Sequence, residues 1–189
     1  MTIGEAVGFA IAAGIGVAAI GGGVDGAPAV ATAVVGGLLE GAALGTGQYL
    51  GMRGDRPSAA QWIAGTSLAA GFAWLLGMLP STLGLDLASP AVIVALVVGG
   101  LLLLASIPVT QWLVLRRPRS LVWVPVNMAA WAVAILWTFA PSPIIDESSP
   151  VPLVIALYVL AGLLMAVTIA TLTAPVARRL FGRDRDLRP

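Results

Sequence analysis

The sequence predicts an all-α integral membrane protein, a bundle of six transmembrane helices. Three observations predict it. Of the 189 residues, 59% are hydrophobic and only 10% are charged, whereas a soluble domain carries about 25% charged residues. Apolar runs long enough to cross a bilayer recur along the chain, separated by short loops rich in Gly and Pro. Threading the chain through six crossings then places every arginine on one side.

A hydrocarbon core about 30 Å thick takes roughly 20 apolar residues to cross as a helix. The runs that qualify are residues 3–20, 29–52, 59–79, 91–115, 121–140 and 151–176. Helices are required because every backbone N–H and C=O must find its partner inside the segment when no water is present. The first run has no Arg or Lys before it and carries Glu5 near its start. It therefore lacks the basic leader of a secretory signal and reads as a retained helix. The loops GGGVDGAP, RGDRPS, PSTLGLDLASP, RRPRS and PSPIIDESSP supply the turns. Residues 1–177 make one bundle, and residues 178–189 follow as a basic tail.

Orientation follows from charge. Arg53 and Arg56 fall in the second loop, Arg116, Arg117 and Arg119 in the fourth, and the other five arginines in the tail. Among charged residues the first, third and fifth loops hold only acids: Asp25, Asp86, Asp146 and Glu147. The positive-inside rule makes the arginine side the cytoplasm, with both termini there. Tyr49, Trp62, Trp112 and Trp123 are placed near the cytoplasmic helix ends as interfacial aromatics, with Trp137 near an outer end. Trp74 and Trp131 lie deeper and read as packing residues.

An offset of 63 aligns Gly37-Leu38-Leu39 with Gly100-Leu101-Leu102, Gln48 with Gln111, Tyr49 with Trp112 and Arg53 with Arg116. An offset of 125 brings Gly162-Leu163-Leu164 under the same triplet, with Thr173 at the Gln position. The pattern reads as three repeated αα-hairpins. The element Gln111-Trp112-Leu113-Val114-Leu115-Arg116-Arg117, with Trp123 downstream, resembles a segment of small multipass bacterial membrane proteins whose helix ends repeat it. That resemblance covers the fourth and fifth runs well and the second and third in altered form, and the sixth departs at Thr173. It implies a multipass bundle and supplies no activity, substrate or cofactor.

Glu40 is the charged residue placed deepest in apolar sequence, beside the ladder Gly37, Gly41 and Gly45. Small residues four apart let another helix backbone approach closely. A charge at mid-bilayer costs at least ~2.5 kcal/mol on insertion scales, so such residues face the bundle interior and mark function by default. Glu40 reads either as a site for a proton, cation or polar head group, or as a neutral carboxyl hydrogen-bonded to a neighbouring helix. Gln48, Gln111 and Asn127, with Ser67, Ser106, Thr110 and Thr173, form a polar layer in the cytoplasmic half. Interhelical hydrogen bonds account for such a layer, as does a vestibule lined for a ligand. Pro108 and Pro125 are candidate kinks. In the tail Arg178, Arg179 and Arg183 suit anionic lipid head groups, and Asp184 and Asp186 weigh against a nucleic-acid arm.

The chain has no Cys, no His and no Lys. Thiolate and imidazole metal sites, disulfides and Schiff-base cofactors are thereby excluded, and neither a metal nor a cofactor is expected. No nucleophile pairs with a base, and Gly21-Gly22-Gly23 is a turn with no strand before it. Two non-enzymatic classes remain. One is a bundle that binds or transports a small or lipid-like ligand around Glu40, Gln48, Gln111 and Asn127. In size and helix count it is similar to the vitamin-capturing membrane subunits of energy-coupling-factor transporters, and Ala6 and Ala10 look like their docking pattern. The other is a structural or accessory subunit whose Gly faces dock a membrane-protein partner or a second copy.

Overall fold

The computed structural model describes residues 8, 14–15, 23, 25–53, 56–146 and 148–181. Among them are five helices long and apolar enough to cross a membrane, and no strand. Helix α1 spans Gly26–Gly51, α2 Ala59–Leu83, α3 Pro90–Leu115, α4 Trp123–Ala134 and α5 Val151–Phe181. Short 3-10 helices extend α4 at both ends, Pro118–Val122 before it and Ile135–Phe139 after it. Of the run 3–20, only Gly8, Gly14 and Ile15 are described, all three helical. Ala6, Ala10 and Arg183 lie outside the described residues.

Two helices outrun their predicted ends. α2 continues past Leu79 through Pro80 and stops at Gly84, whose φ of 57° is left-handed, a conformation open to glycine without strain. α5 continues past Val176 to Phe181, so Arg178 and Arg179 belong to a helix end and not to a separate tail. Pro175 frees the carbonyl one turn earlier without ending the helix. Packing at the far end explains the extension. Phe181 is buried, with its ring edge-on to Trp62 at 5.9 Å and to Trp123 at 5.7 Å. Met52 and Leu115 complete that cluster. Trp62 and Trp123 are thus core residues, each only 1% exposed, and not the interfacial anchors expected of them. Pro125 also departs from expectation. It sits in the first turn of α4, where its missing N–H has no intrahelical partner to lose.

The chain packs each helix on the next: α1 on α2, α2 on α3, α3 on α4 and α4 on α5. The outward faces are apolar. Val97, Val98, Leu101 and Leu102 of α3 are each about half-exposed, the arrangement expected when lipid is the solvent. Because apolar side chains gain little by leaving lipid, association rests on close contact and hydrogen bonds. The α1–α2 contact is the closest. A Cβ on Gly41 would lie 2.7 Å from the Thr66 carbonyl oxygen and 2.8 Å from the Ser67 Cα, and one on Gly37 would lie 2.3 Å from the Trp74 ring. A Cβ on Gly45 would lie 3.1 Å from the Thr66 Cβ and 3.2 Å from the Ile63 Cα. The Ser67 hydroxyl donates to the Leu38 carbonyl at 2.7 Å, tying the two backbones together.

Replacing Gly41 by Ala pushes a methyl into backbone that has no rotamer to yield. Gly41→Ala should therefore destabilise the bundle by about 1–3 kcal/mol, the usual cost of overpacking. Gly99 has open space where a Cβ would go, and Gly99→Ala should leave the unfolding midpoint in mixed-micelle denaturation unchanged or raised.

Candidate functional site

The polar interior is built around the amide of Gln111, near the end of α3 and 1% exposed. Its Nε2 donates to Gln48 Oε1 on α1 at 2.7 Å and to Thr66 Oγ1 on α2 at 3.1 Å. Its Oε1 accepts from Trp123 Nε1 on α4 at 2.8 Å. One side chain thus bonds to three other helices. The two glutamines in contact are 63 residues apart. Thr173 of α5 is fully buried, with its hydroxyl turned back on the Ile169 carbonyl of its own helix. Ser106 and Thr110 do the same on α3. Among the described residues these three hydroxyls add no bond between helices.

Glu40 is a separate feature. It is buried on the α1 stripe Gly36, Gly37, Glu40, Gly41, Leu44, Gly45 and Gln48. Its Oε2 accepts from Trp74 Nε1 on α2 at 2.7 Å. Gly37 creates the room for that indole, since any Cβ there would strike it. On the other side a Cβ on Gly8 would lie 2.8 Å from the Glu40 carbonyl oxygen and 3.1 Å from its Cγ. Glu40 is therefore clamped between Trp74 and the backbone at Gly8. Gln48 lies eight residues on, about 12 Å along the axis at 1.5 Å per residue.

Among the described residues, Trp62 Nε1 and Asn127 Nδ2 are buried donors with no partner. Their residues are 1% and 2% exposed. Buried side-chain polar atoms are satisfied in the large majority of cases, so each such exception has to be accounted for. Trp62 is part of the wall of a cavity of about 450 Å³ at the arginine-bearing end. Gln48 and Gly51 from α1, Met52 and Arg53 just after it, Trp123 from α4, and Ala170, Ala174, Ala177, Arg178 and Phe181 from α5 form the rest of it. A backbone hydrogen bond from Arg53 N–H to the Phe181 carbonyl, 3.0 Å, ties α1 to α5 beside it. Glu40, Gln111 and Asn127 are not among its lining residues. A second recess, of about 650 Å³, lies by Trp112, Arg116 and Arg117 at the end of α3. Arg179 is exposed on the last turn of α5.

The structure thus brings Gln48 and Gln111 together and keeps Glu40 apart from them. Asn127 is buried with its amide nitrogen unbonded. Thr66, Trp62, Trp123 and Trp74 carry polar contacts or an orphaned donor that sequence reasoning did not assign. A signal for some of them exists. Trp62 precedes Thr66 by four residues and Trp123 precedes Asn127 by four, one helical turn each, which sets an indole and a small polar group on one face. No protein-family model, curated protein or solved structure matches the chain.

Gln111→Leu removes three interhelical bonds and strands the Trp123 N–H. At about 0.6 kcal/mol per bond in a membrane, the loss should be about 2 kcal/mol, read as the shift of the denaturation midpoint. A double-mutant cycle of Glu40→Ala with Trp74→Phe should return a coupling of about 0.6–1.7 kcal/mol. A coupling near zero refutes the clamp.

Proposed function

We propose that this is a non-enzymatic, multi-pass protein of a bacterial inner membrane. It binds or transports a small or lipid-like ligand through the polar interior of its cytoplasmic half. In this reading six helices form three hairpins with both termini cytoplasmic. The single observation that carries the reading is a cavity of about 450 Å³ at the arginine-bearing end, with Gln48 of the buried glutamine pair in its wall and with Trp62 beside it, whose buried N–H has no partner among the described residues. Asn127 adds a second unbonded donor to the same half of the bundle. Glu40 enters as the anchor that holds α1 against α2, with Gln48 at the ligand end of the same stripe.

The repeat is supported by the pairing of Gln48 with Gln111, its counterpart 63 residues on, and by the shared packing of Trp62 and Trp123 on Phe181. The orientation is supported by the Arg53–Phe181 bond, which puts the end of α1 and the end of α5 on one side. An accessory-subunit reading has one observation in its favour. Gly99 and Gly100 of α3 lie on an apolar surface with nothing within 4 Å of a Cβ, open to a partner helix or a second copy.

The chain has no cysteine, so Arg119→Cys and Ser142→Cys are clean labelling sites. Arg119→Cys should react with a membrane-impermeant maleimide only in inverted vesicles, and Ser142→Cys only in right-side-out cells. Native mass spectrometry of the protein extracted alone should release a bound non-protein molecule that Gln48→Leu loses. A bare protein, or one that survives extraction only beside a partner chain, favours the accessory reading.

A further inference from the structure

Resting on the binding reading above, we infer that the cavity between the ends of α1 and α5 takes an acyl chain whose carbonyl oxygen accepts a hydrogen bond from the side-chain amide of Gln48. Trp123 sets the direction of the buried bonds. An indole N–H can only donate, so the Gln111 atom that meets Trp123 at 2.8 Å is its oxygen. The Gln111 nitrogen therefore faces Gln48 and Thr66, and Gln48 has to turn its own oxygen to meet it at 2.7 Å. That leaves Gln48 Nε2 with two N–H groups directed away from the pair. Among the described residues it has no acceptor, and it is not one of the fully enclosed unpartnered atoms, which are Trp62 Nε1 and Asn127 Nδ2. Gln48 is itself only 5% exposed and stands in the cavity wall. A nearly buried amide thus opens its donor side to the cavity.

The opposite wall suits the body that carries such an oxygen. Ala170, Ala174 and Ala177 lie within about 60° of one another on α5, a strip of methyl groups about 10 Å long on which an alkyl chain can lie. Water suits it less, since a buried water needs about two to four polar partners and these alanines offer none. Arg53 and Arg178, the charged members of the wall, are exposed, so the enclosed polar group is an uncharged donor. The sequence offsets explain why that donor is left over. They set Gln48-Tyr49, Gln111-Trp112 and Thr173-Ala174 in register. On α5 an amide and a ring have given way to two small side chains. Ala174 leaves room in the wall, and Thr173 turns its hydroxyl back on the Ile169 carbonyl of its own helix.

The test uses the whole protein in dodecyl maltoside, a detergent without a carbonyl, and reads quenching of tryptophan fluorescence by probes brominated along the chain. Two pairs of probes differ in the carbonyl alone: diester against diether phosphatidylcholine, and a fatty acid methyl ester against the matching alkyl methyl ether. Saturable quenching is expected, with the ester about fivefold tighter than its ether, the worth of one hydrogen bond. Saturation by the phosphatidylcholine pair identifies a membrane lipid, and by the methyl pair alone a free acyl chain. Gln48→Met, which keeps the length and lacks the amide, should erase the ester preference. Trp123→Phe, which leaves the Gln111 amide free to turn over, should narrow it and serves where Gln48→Met does not fold. Ala174→Leu should abolish saturation by filling the cavity, and Leu101→Ala, on the exposed face of α3, should leave it unchanged. Ester and ether bound equally, or an ester preference that Gln48→Met keeps, overturns the Gln48 contact and leaves a binding bundle standing. Saturation that survives Ala174→Leu at full strength overturns the cavity as the site. No saturable quenching by any probe overturns the inference, and the binding reading falls with it only if the extracted protein also releases no bound molecule.

Discussion

Inside a bilayer, a leucine packed on leucine is little better off than a leucine packed on a lipid tail, so hydrophobicity alone cannot fix which helix meets which. In this protein that choice rests heavily on the buried amide of Gln111. It has two directional donors and an acceptor, and each is engaged on a different helix: Gln48 on α1, Thr66 on α2 and Trp123 on α4. An unsatisfied amide in apolar surroundings costs several kcal/mol, so sliding one helix by a turn carries a penalty that apolar contacts do not impose. The apolar cluster of Trp62, Trp123 and Phe181 sits at the same end and depends on that register.

The α1–α2 pair solves a different problem, that of holding a carboxyl deep in apolar surroundings. Close approach comes first, through glycines whose replacement would collide with the facing helix at Thr66 and Ser67 and with the Trp74 ring. That approach brings the Trp74 indole to Glu40. The two halves of the interior thus divide their work. One end clamps a carboxyl against an indole. The other gathers amides and indole N–H groups beside a cavity edged by arginines. Burial of Glu40 is served by the first arrangement, and the register of four helices by the second.

Helix number five of the described set shows how packing overrides sequence punctuation. Pro175 and the Arg178-Arg179 pair read as the end of a crossing and the start of a tail. The helix passes through both because Phe181 has a slot between two indoles, and that burial outweighs the one backbone bond a proline removes. At about 1.5 Å per residue, its 31 residues span about 46 Å, more than a hydrocarbon core about 30 Å thick.

The sequence by itself determined the class of protein. Composition leaves no polar surface for water, and the apolar runs mark the helices within a few residues, because length and hydropathy are local properties. Gln48, Gln111 and the Gly37-Gly41-Gly45 ladder were legible for the same reason: a polar group or a small-residue series stands out against an apolar background. Only the tertiary structure decided the partners. That Trp74 serves Glu40, that Trp62 is left without an acceptor while Trp123 has one, and that Phe181 closes the bundle all depend on the rotation and depth of one helix against another. Those are set by contacts between residues distant in the chain, and no local pattern encodes them.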